Sequence, residues 1–461
     1  MLSIAPSTAT VKAGFSEPFT ANVGGTTNDS VSWSVVDLPG DSTYPGSVVG
    51  GTYTAPAPVV TPDTFTVSAV SNADPTKTAS ASVNVVPLEN QEQQTLPIKL
   101  GASGVNAKAG DCCSGTLGSL LVDQKGNQYI LSNNHVIGRV GNAAPGEPIV
   151  QPGYVDTLCN FTLPKTVANF TIAPSITSSN VDAAIAEVVP GAVDNQGEII
   201  GLGGIATDGS YISAPPANTT VPAVIGMSVA KSGRTTGLTC GTILGINGTI
   251  VIEFPAECGN TAPMSVQFHG QVVMGSLVRP GDSGSLIVEA GTARPMALVA
   301  GLTTDGQFTT ANPATDVLAA LNNSNNGSTF SFVGSGQHPV SCPTLLGSSQ
   351  RSSLQASTKA ELSFISAEEI AHVTEVQRKY ENDVMLDASV IGMAIGESDA
   401  DPLHASFLVF VEAGKEPKHL PTSLDGVAVR LIQSGRFLAS MQSSTATASR
   451  CTPRALRPAE P

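Results

Sequence analysis

The sequence predicts a mainly β protein of several domains, closed by a small α+β segment. Three observations carry this. A chain of 461 residues exceeds the size at which one hydrophobic core keeps growing, so two or three domains are expected. Its 46 glycines and 32 prolines punctuate short Val/Thr/Ile runs of strand length, and helix-period segments are few. The clearest helical pattern comes late, where Ile370, Val373, Val376 and Tyr380 recur at helical spacing.

Residues 1–87 alternate polar and apolar in segments such as 8–13, 30–35, 64–69 and 81–86, with turn residues between them. That pattern predicts a β-sandwich, with Trp33, the only tryptophan, in its core. The segment resembles bacterial immunoglobulin-like repeats, and having no cysteine it excludes an antibody-type disulfide. The resemblance implies a spacer or adhesive module. Residues 88–100 include Glu89-Asn90-Gln91-Glu92-Gln93-Gln94 and read as a polar linker.

The region 101–335 carries the chemistry. Pro280-Gly281-Asp282-Ser283-Gly284-Ser285 places a serine between glycines ahead of the apolar run Leu286-Ile287-Val288. Glycine permits a tight turn there, and the amides of Gly281 and Ser283 can point together at a developing oxyanion. Upstream, His135 follows an apolar strand and a polar turn in Tyr129-Ile130-Leu131-Ser132-Asn133-Asn134-His135. Asp182 opens the apolar segment Asp182-Ala183-Ala184-Ile185-Ala186. The order His, Asp, Ser, with separations of about 47 and then about 101 residues, is that of the chymotrypsin double barrel among convergent serine hydrolases.

On these residues, with Cys113-Ser114-Gly115-Thr116-Leu117-Gly118, Lys231-Ser232-Gly233-Arg234-Thr235-Thr236-Gly237 and Thr310-Ala311-Asn312-Pro313, the region resembles trypsin-like serine peptidases. It is most similar to plant narrow-leaf-type proteases and their bacterial relatives. The resemblance implies a chymotrypsin-type double β-barrel with Ser283 as nucleophile, His135 as base, Asp182 as its orienter and Gly281 with Ser283 as the oxyanion hole. Six residues before the nucleophile, Leu277 stands where such enzymes set the floor of the primary pocket, with Arg279 nearby. That suggests an apolar preference, and Val299, Ala300 and Gly301 are expected to pair with an extended substrate. The mechanism calls for no metal and no cofactor. An esterase using the same triad, and a non-catalytic binding protein with a degenerate peptidase fold, are the alternatives.

Other residues of these types fit less well. Asp156 lies in a Gly/Tyr/Thr loop and Asp194 follows Pro190-Gly191, so neither opens an apolar strand. His269 alternates with apolar residues downstream of Asp182, in the wrong order for the base. Arg234 reads as one half of a structural ion pair. Asp282 precedes the nucleophile as in trypsin, where that aspartate receives a newly cut N-terminus. With about a hundred residues ahead of the region, a constitutively formed site, or one ordered by substrate or partner contacts, is expected instead. Ser285 replaces the usual second glycine.

The remainder divides simply. Residues 336–365 read as a linker, and the runs 322–336 and 348–357 as loops. Residues 366–440 begin with a capping box of Ser366 and Glu369 and continue into three strand-like runs, an αβββ order that predicts a small helix-on-sheet domain. His372, His404 and His419 read there as ordinary residues. The tail, 441–461, is expected to be disordered.

Seven cysteines leave at least one unpaired within a monomer. Cys240 and Cys258 flank an expected hairpin at Asn247-Gly248 and are candidates to meet across it, and Cys112 or Cys113 is a candidate partner for Cys159. No CxxC pair with a matching histidine cluster points to structural zinc. A net charge of −15 without a basic stripe argues against nucleic acid, and no apolar run is long enough to span a bilayer. The first residues lack the basic and apolar regions of a signal peptide. A protein or peptide substrate, a secreted or cell-surface location with a cytoplasmic one as alternative, and surface or oligomer contacts through the flanking domains are expected.

Overall fold

The computed structural model describes residues 1–36, 45–56, 59, 62–206, 210–325, 328–342, 365–418, 420–439 and 441–443. These fall into two compact units, one of residues 1–92 and one comprising the described residues from Gln93 onward.

In the first unit, Thr8–Lys12, Thr78–Val86, Asp63–Ser71 and Val31–Val36 form a four-stranded sheet, and Ser16–Pro18, Thr52–Thr54 and Ser47–Val49 a three-stranded one. The strict alternation along Asp63–Ser71 turns Phe65, Val67 and Ala69 inward. Phe65, Val67, Val83 and Val85 of one sheet share a core with Tyr53 of the other. Trp33 corrects the sequence reading: it is only partly buried at the margin of that core, and Tyr53 is the fully buried large aromatic on the facing sheet. The expected linker after this unit is packed chain. Ile98 and Leu100 are fully buried, and their amides donate to Ala192 O and Glu198 O at 2.9 and 2.8 Å.

The second unit contains two curled sheets. The first runs Ser119–Asp123, Gln128–Ser132, Ala184–Val188, Lys165–Ile172, Pro148–Gln151, Ala102–Asn106 and Cys113–Leu117. Its terminal strands are joined by the single residue Gly118, so one bent strand closes both ends. The second runs Ser228–Gly233, Leu286–Glu289, Pro295–Thr303, Phe308–Pro313, Met264–Gly275 and Gly237–Phe254, and the last pairs back with the first to complete a six-stranded ring. Apolar side chains fill each sheet's interior, Leu120, Leu131, Ile149 and Ile185 in the first and Val229, Met274, Ile287 and Val299 in the second.

The C-terminal helix and strands do not stand apart. Val390–Glu397 pairs antiparallel with Gly237–Phe254 (Gly245↔Gly396, Ile250↔Gly392), extending the second sheet through Ala405–Glu412 and Val427–Ser434. The helix Ala367–Met385 covers this extension with Val373, Val376 and Val384. Ser366 accepts a hydrogen bond from Glu369 N at 3.1 Å, as the capping signal predicts, but the Glu369 carboxylate turns to Ala405 N at 2.7 Å. Docking on the strand outcompetes the second half of the box.

Four further expectations change. Asn247-Gly248 makes no hairpin: Asn247 (φ 52°) lies within the continuous strand Gly237–Phe254, at shifts in its ladder with Met264–Gly275, and Gln377 Nε2 donates to its carbonyl at 2.8 Å. Cys240 and Cys258 therefore do not meet. The disulfides among the described residues are Cys112–Cys159, Cys113–Cys258 and Cys240–Cys342, the last tying the start of the stretch read as a linker to the strand Gly237–Phe254. The Asn/Ser/Gly-rich run 322–336 holds the strand Phe330–Phe332, paired with Ser119–Asp123, and an unanticipated helix, Ala314–Ser324, precedes it. Gln442–Ser443, at the start of the expected disordered tail, pairs with Cys113–Leu117. The 348–357 loop, His419, Cys451 and the rest of the tail lie outside the described residues.

Candidate active site

Strand register brings His135 and Asp182 together. Ser132 pairs with Ala184 across antiparallel strands, so two residues beyond this pair the short helix Asn134–Ile137 faces Asp182. Asp182 Oδ1 accepts His135 N at 3.1 Å, and Oδ2 hydrogen-bonds the ring at Nδ1. Asn133 Nδ2 donates to Asp182 O at 2.5 Å. Asp182 N donates to Asn312 Oδ1 at 2.9 Å, and Asn312 Nδ2 to Gln271 Oε1 at 2.7 Å. Asp182 is thus fully buried, with its backbone held at the carbonyl by Asn133 and at the amide by Asn312 and its carboxylate bonded to the amide and ring of His135.

Ser283 sits in a loop with two left-handed glycines, Gly281 (φ 96°) and Gly284 (φ 92°). A β-carbon at Gly284 would strike Ser132 Oγ and Thr116 O, and one at Gly118 would strike Gly284 O. The loop therefore lies directly on the strands that lead to His135. Thr116 N donates to Ser283 O at 2.9 Å, and Thr116 Oγ1 to Gly281 O at 2.9 Å. Ser285 has a local role: its hydroxyl donates to Asp282 O at 2.6 Å, and its carbonyl accepts Val299 N at 3.0 Å. His135 Nε2 is buried and makes no hydrogen bond, so a bond from Ser283 Oγ is not formed in this structure.

Asp282 points away into a buried nest. It accepts Thr235 N at 2.8 Å, Thr236 N at 3.1 Å, Thr236 Oγ1 at 2.7 Å and Arg279 N at 2.9 Å, with Lys231 Nζ at 3.3 Å. Lys231 and Asp282 are both fully buried. Burial pushes the Lys231 ammonium below its ordinary range, and the adjacent Asp282 carboxylate opposes that shift. The Lys231 side chain is thus an internal cation beside the buried Asp282 carboxylate. Lys231→Met is expected to destabilise the fold by about 3–5 kcal/mol, because it leaves the Asp282 charge buried and unpaired. Urea denaturation of wild type and variant checks this, and a loss below about 1 kcal/mol would refute the pairing as the anchor of the loop.

The rival groups are engaged elsewhere. Asp156 pairs with Arg234, whose Nη2 and Nε donate to its two oxygens at 2.5 and 3.0 Å, and Ser103 Oγ donates to it as well. This pair is buried, as the structural reading of Arg234 expects, and the Arg234 amide reaches Thr116 Oγ1 at 3.0 Å. Asp194 caps a turn through Gln196 N, and His269 meets Glu381 at 2.9 Å. Leu277 is buried among Val229, Ile243 and Val299, with its carbonyl accepting Thr239 Oγ1 at 2.9 Å. Val299 and Gly301 pair with Ala311 and Thr310 of the neighbouring strand. Ala300 is buried in the adjoining core.

Sequence reading assigned no part to Thr116, Asn312 or Lys231. The legible signal was a lysine between small residues in a strand-like run, since a lysine with no exposed face needs an internal anion. Two disulfides, Cys112–Cys159 and Cys113–Cys258, tie down the strand that carries Thr116.

No family model and no curated protein matches the chain. Among solved structures it is similar to a glutamic acid specific serine protease that uses a histidine triad in substrate binding, at 16% identity and TM-score 0.35 over 51% of this chain and 100% of that one. It is also similar to a Nocardiopsis protease, at 17% identity and TM-score 0.33 over 51% of this chain and 98% of that one. Thermobifida fusca protease A matches at 14% identity and TM-score 0.33, over 51% of this chain and 98% of that one.

Proposed function

We propose that the chain is a serine endopeptidase that cuts peptide bonds through an acyl-enzyme, with Ser283 as nucleophile, His135 as general base and acid, and Asp182 as the residue that orients it. The supporting observation is the buried His135–Asp182 pair, locked by Asn133 and Asn312, beneath a glycine-flanked serine loop. Ser283 Oγ adds to the acyl carbon as His135 Nε2 takes its proton, and that proton then goes to the leaving nitrogen. The Gly281 and Ser283 amides stabilise the oxyanion, and water releases the acyl group. No step draws on a metal or cofactor. In this reading Leu277 is assigned the apolar floor of the primary pocket, and Val299, Ala300 and Gly301 the strand beside an extended substrate.

Three disulfides fit an oxidising, extracellular setting. No helix among the described residues is long and apolar enough to cross a membrane. The sandwich of residues 1–87 is assigned a spacer or adhesive role. One observation favours a second reading, a binding protein without turnover: Nε2 of His135 lacks the serine hydrogen bond. A fluorophosphonate probe decides between them. Wild type is expected to form a single adduct located by mass at Ser283, and Ser283→Ala none. A folded wild type that stays unlabelled would refute the peptidase.

A further inference from the structure

Every carbonyl from Pro280 to Ser283 is hydrogen-bonded. Thr235 Oγ1 donates to Pro280 O at 2.7 Å, and Thr116 Oγ1 to Gly281 O at 2.9 Å. Asp282 O accepts Ser285 Oγ at 2.6 Å and Ser285 N at 3.0 Å, while Ser283 O accepts Thr116 N at 2.9 Å. The peptide bonds of this loop are trans. A planar trans peptide sets its N–H opposite its C=O, so a bond to the carbonyl also aims the amide that follows. The Gly281–Asp282 unit shows this: its carbonyl goes to Thr116, and its amide turns the other way, to Arg279 O at 3.0 Å.

Two of these units carry the amides that the endopeptidase reading assigns to the oxyanion. The Pro280–Gly281 unit bears the Gly281 N–H, and the Asp282–Ser283 unit bears the Ser283 N–H. The first is held by the Thr235 hydroxyl and the second by the Ser285 hydroxyl and amide. The direction of the Thr235 bond is fixed. Arg234 Nη1 reaches Thr235 Oγ1 at 3.1 Å, and a guanidinium only donates, so the single hydroxyl proton goes to Pro280 O. The same threonine is pinned through its amide to Asp282 Oδ1 at 2.8 Å. A chain thus runs from the buried Asp156–Arg234 pair through Thr235 to the carbonyl behind Gly281 N, and each bond in such a chain polarises the next. A β-carbon at Gly281 would lie 2.5 Å from Thr235 Oγ1, so the glycine backbone rests against that hydroxyl.

We infer that Thr235 and Ser285 are positioning residues of the oxyanion hole, their hydroxyls fixing the Pro280 and Asp282 carbonyls so that the Gly281 and Ser283 amides face the developing oxyanion. The inference rests on the endopeptidase reading and deepens it. As Ser283 Oγ bonds to the acyl carbon, the π pair of the substrate C=O moves onto its oxygen, and donors already aimed there need no reorganisation. Neither hydroxyl is required to touch substrate. Their loss therefore weakens the transition state more than the bound ground state, and lowers kcat with little change in KM. Thr235 carries the larger effect, because the Asp282 carbonyl keeps its bond from Ser285 N when the Ser285 hydroxyl is removed.

The test compares full-length wild type with Thr235→Val, Thr235→Ser and Ser285→Ala. Fluorophosphonate labelling at Ser283 is followed by intact mass, kcat and KM are measured on a peptide ester, and thermal unfolding reports folding. Thr235→Val is expected to label and turn over at least about tenfold more slowly with KM within about twofold, a part of what a whole oxyanion donor is worth. Thr235→Ser, which restores the hydroxyl, is expected to recover the wild-type rates, and Ser285→Ala to lose about threefold or more in kcat. A folded Thr235→Val that labels as fast as wild type, or whose loss lies wholly in KM, overturns the inference and leaves the peptidase standing. An equal loss in Thr235→Ser also overturns it. If folded wild type does not label at all, both readings fall. Should Thr235→Val not fold, Ser285→Ala decides: unchanged labelling and kcat overturn the inference, and a fall in kcat at constant KM supports it.

Discussion

Asp182→Asn is expected to give a folded protein whose rate at saturating substrate falls about 10⁴-fold. The shape of the side chain is kept, so the hydrogen bond from Asp182 N to Asn312 and that from Asn133 to the Asp182 carbonyl both survive. The chemistry changes at the imidazole. A carboxylate oxygen accepts from His135 Nδ1 and leaves Nε2 ready to take a proton. The amide that replaces it presents an NH₂ in that position, favours the tautomer protonated at Nε2, and so removes the base that Ser283 needs. Turnover of a peptide ester by the full chain, compared with and without the substitution, measures the loss. Thermal unfolding is expected to stay near the wild-type midpoint. A fall smaller than about tenfold would mean that Asp182 does not orient the base.

Asp156→Ala is expected to cost about 3–5 kcal/mol of stability, far more than a surface ion pair would. Arg234 is 2% exposed and has both its Nε and Nη2 committed to Asp156, so truncation leaves a guanidinium buried without its anion. The same change loosens the loop beneath Ser283, because the Arg234 amide holds the Thr116 hydroxyl that in turn donates to Gly281 O. Replacing both partners, Asp156→Leu with Arg234→Met, is expected to recover much of the lost stability, since removing a whole buried pair spares the desolvation cost of each charge. Urea denaturation of the two single variants and the double variant measures the coupling. Independent, additive losses would exclude the pairing as the cause.

Legibility divided along physical lines. The strands of residues 64–69 and 81–86 were readable because period-2 burial is written in neighbouring residues, and so was the Ser366 cap on its helix. Asn247-Gly248 misled because a turn-forming dipeptide can also make a bulge, and the ladder with Met264–Gly275 and the Gln377 hydrogen bond select the bulge. Trp33 misled because its strand offered two faces, and the sheets assigned the deep position to Tyr53. At the site, the residue types and their order were visible, but Lys231 as the cation beside Asp282 was not. Its partner lies 51 residues on in another strand-and-loop segment.

The amino-acid sequence by itself determined what depends on near neighbours. It set a mainly β chain, a glycine-flanked Ser283 that can turn tightly, a histidine at the end of an apolar strand, and an aspartate opening the next. Tertiary structure alone decided which distant groups meet. Strand register placed Asp182 against His135, and packing buried Arg234 with Asp156. The folded sheets also chose Cys113–Cys258 over Cys240–Cys258, and offered strand edges to Phe437–Leu438 and to Gln442–Ser443. The reason is that pairing across a sheet satisfies backbone groups almost regardless of side chain. Which edges remain to be paired is a property of the assembled fold, and no stretch of the chain carries it alone.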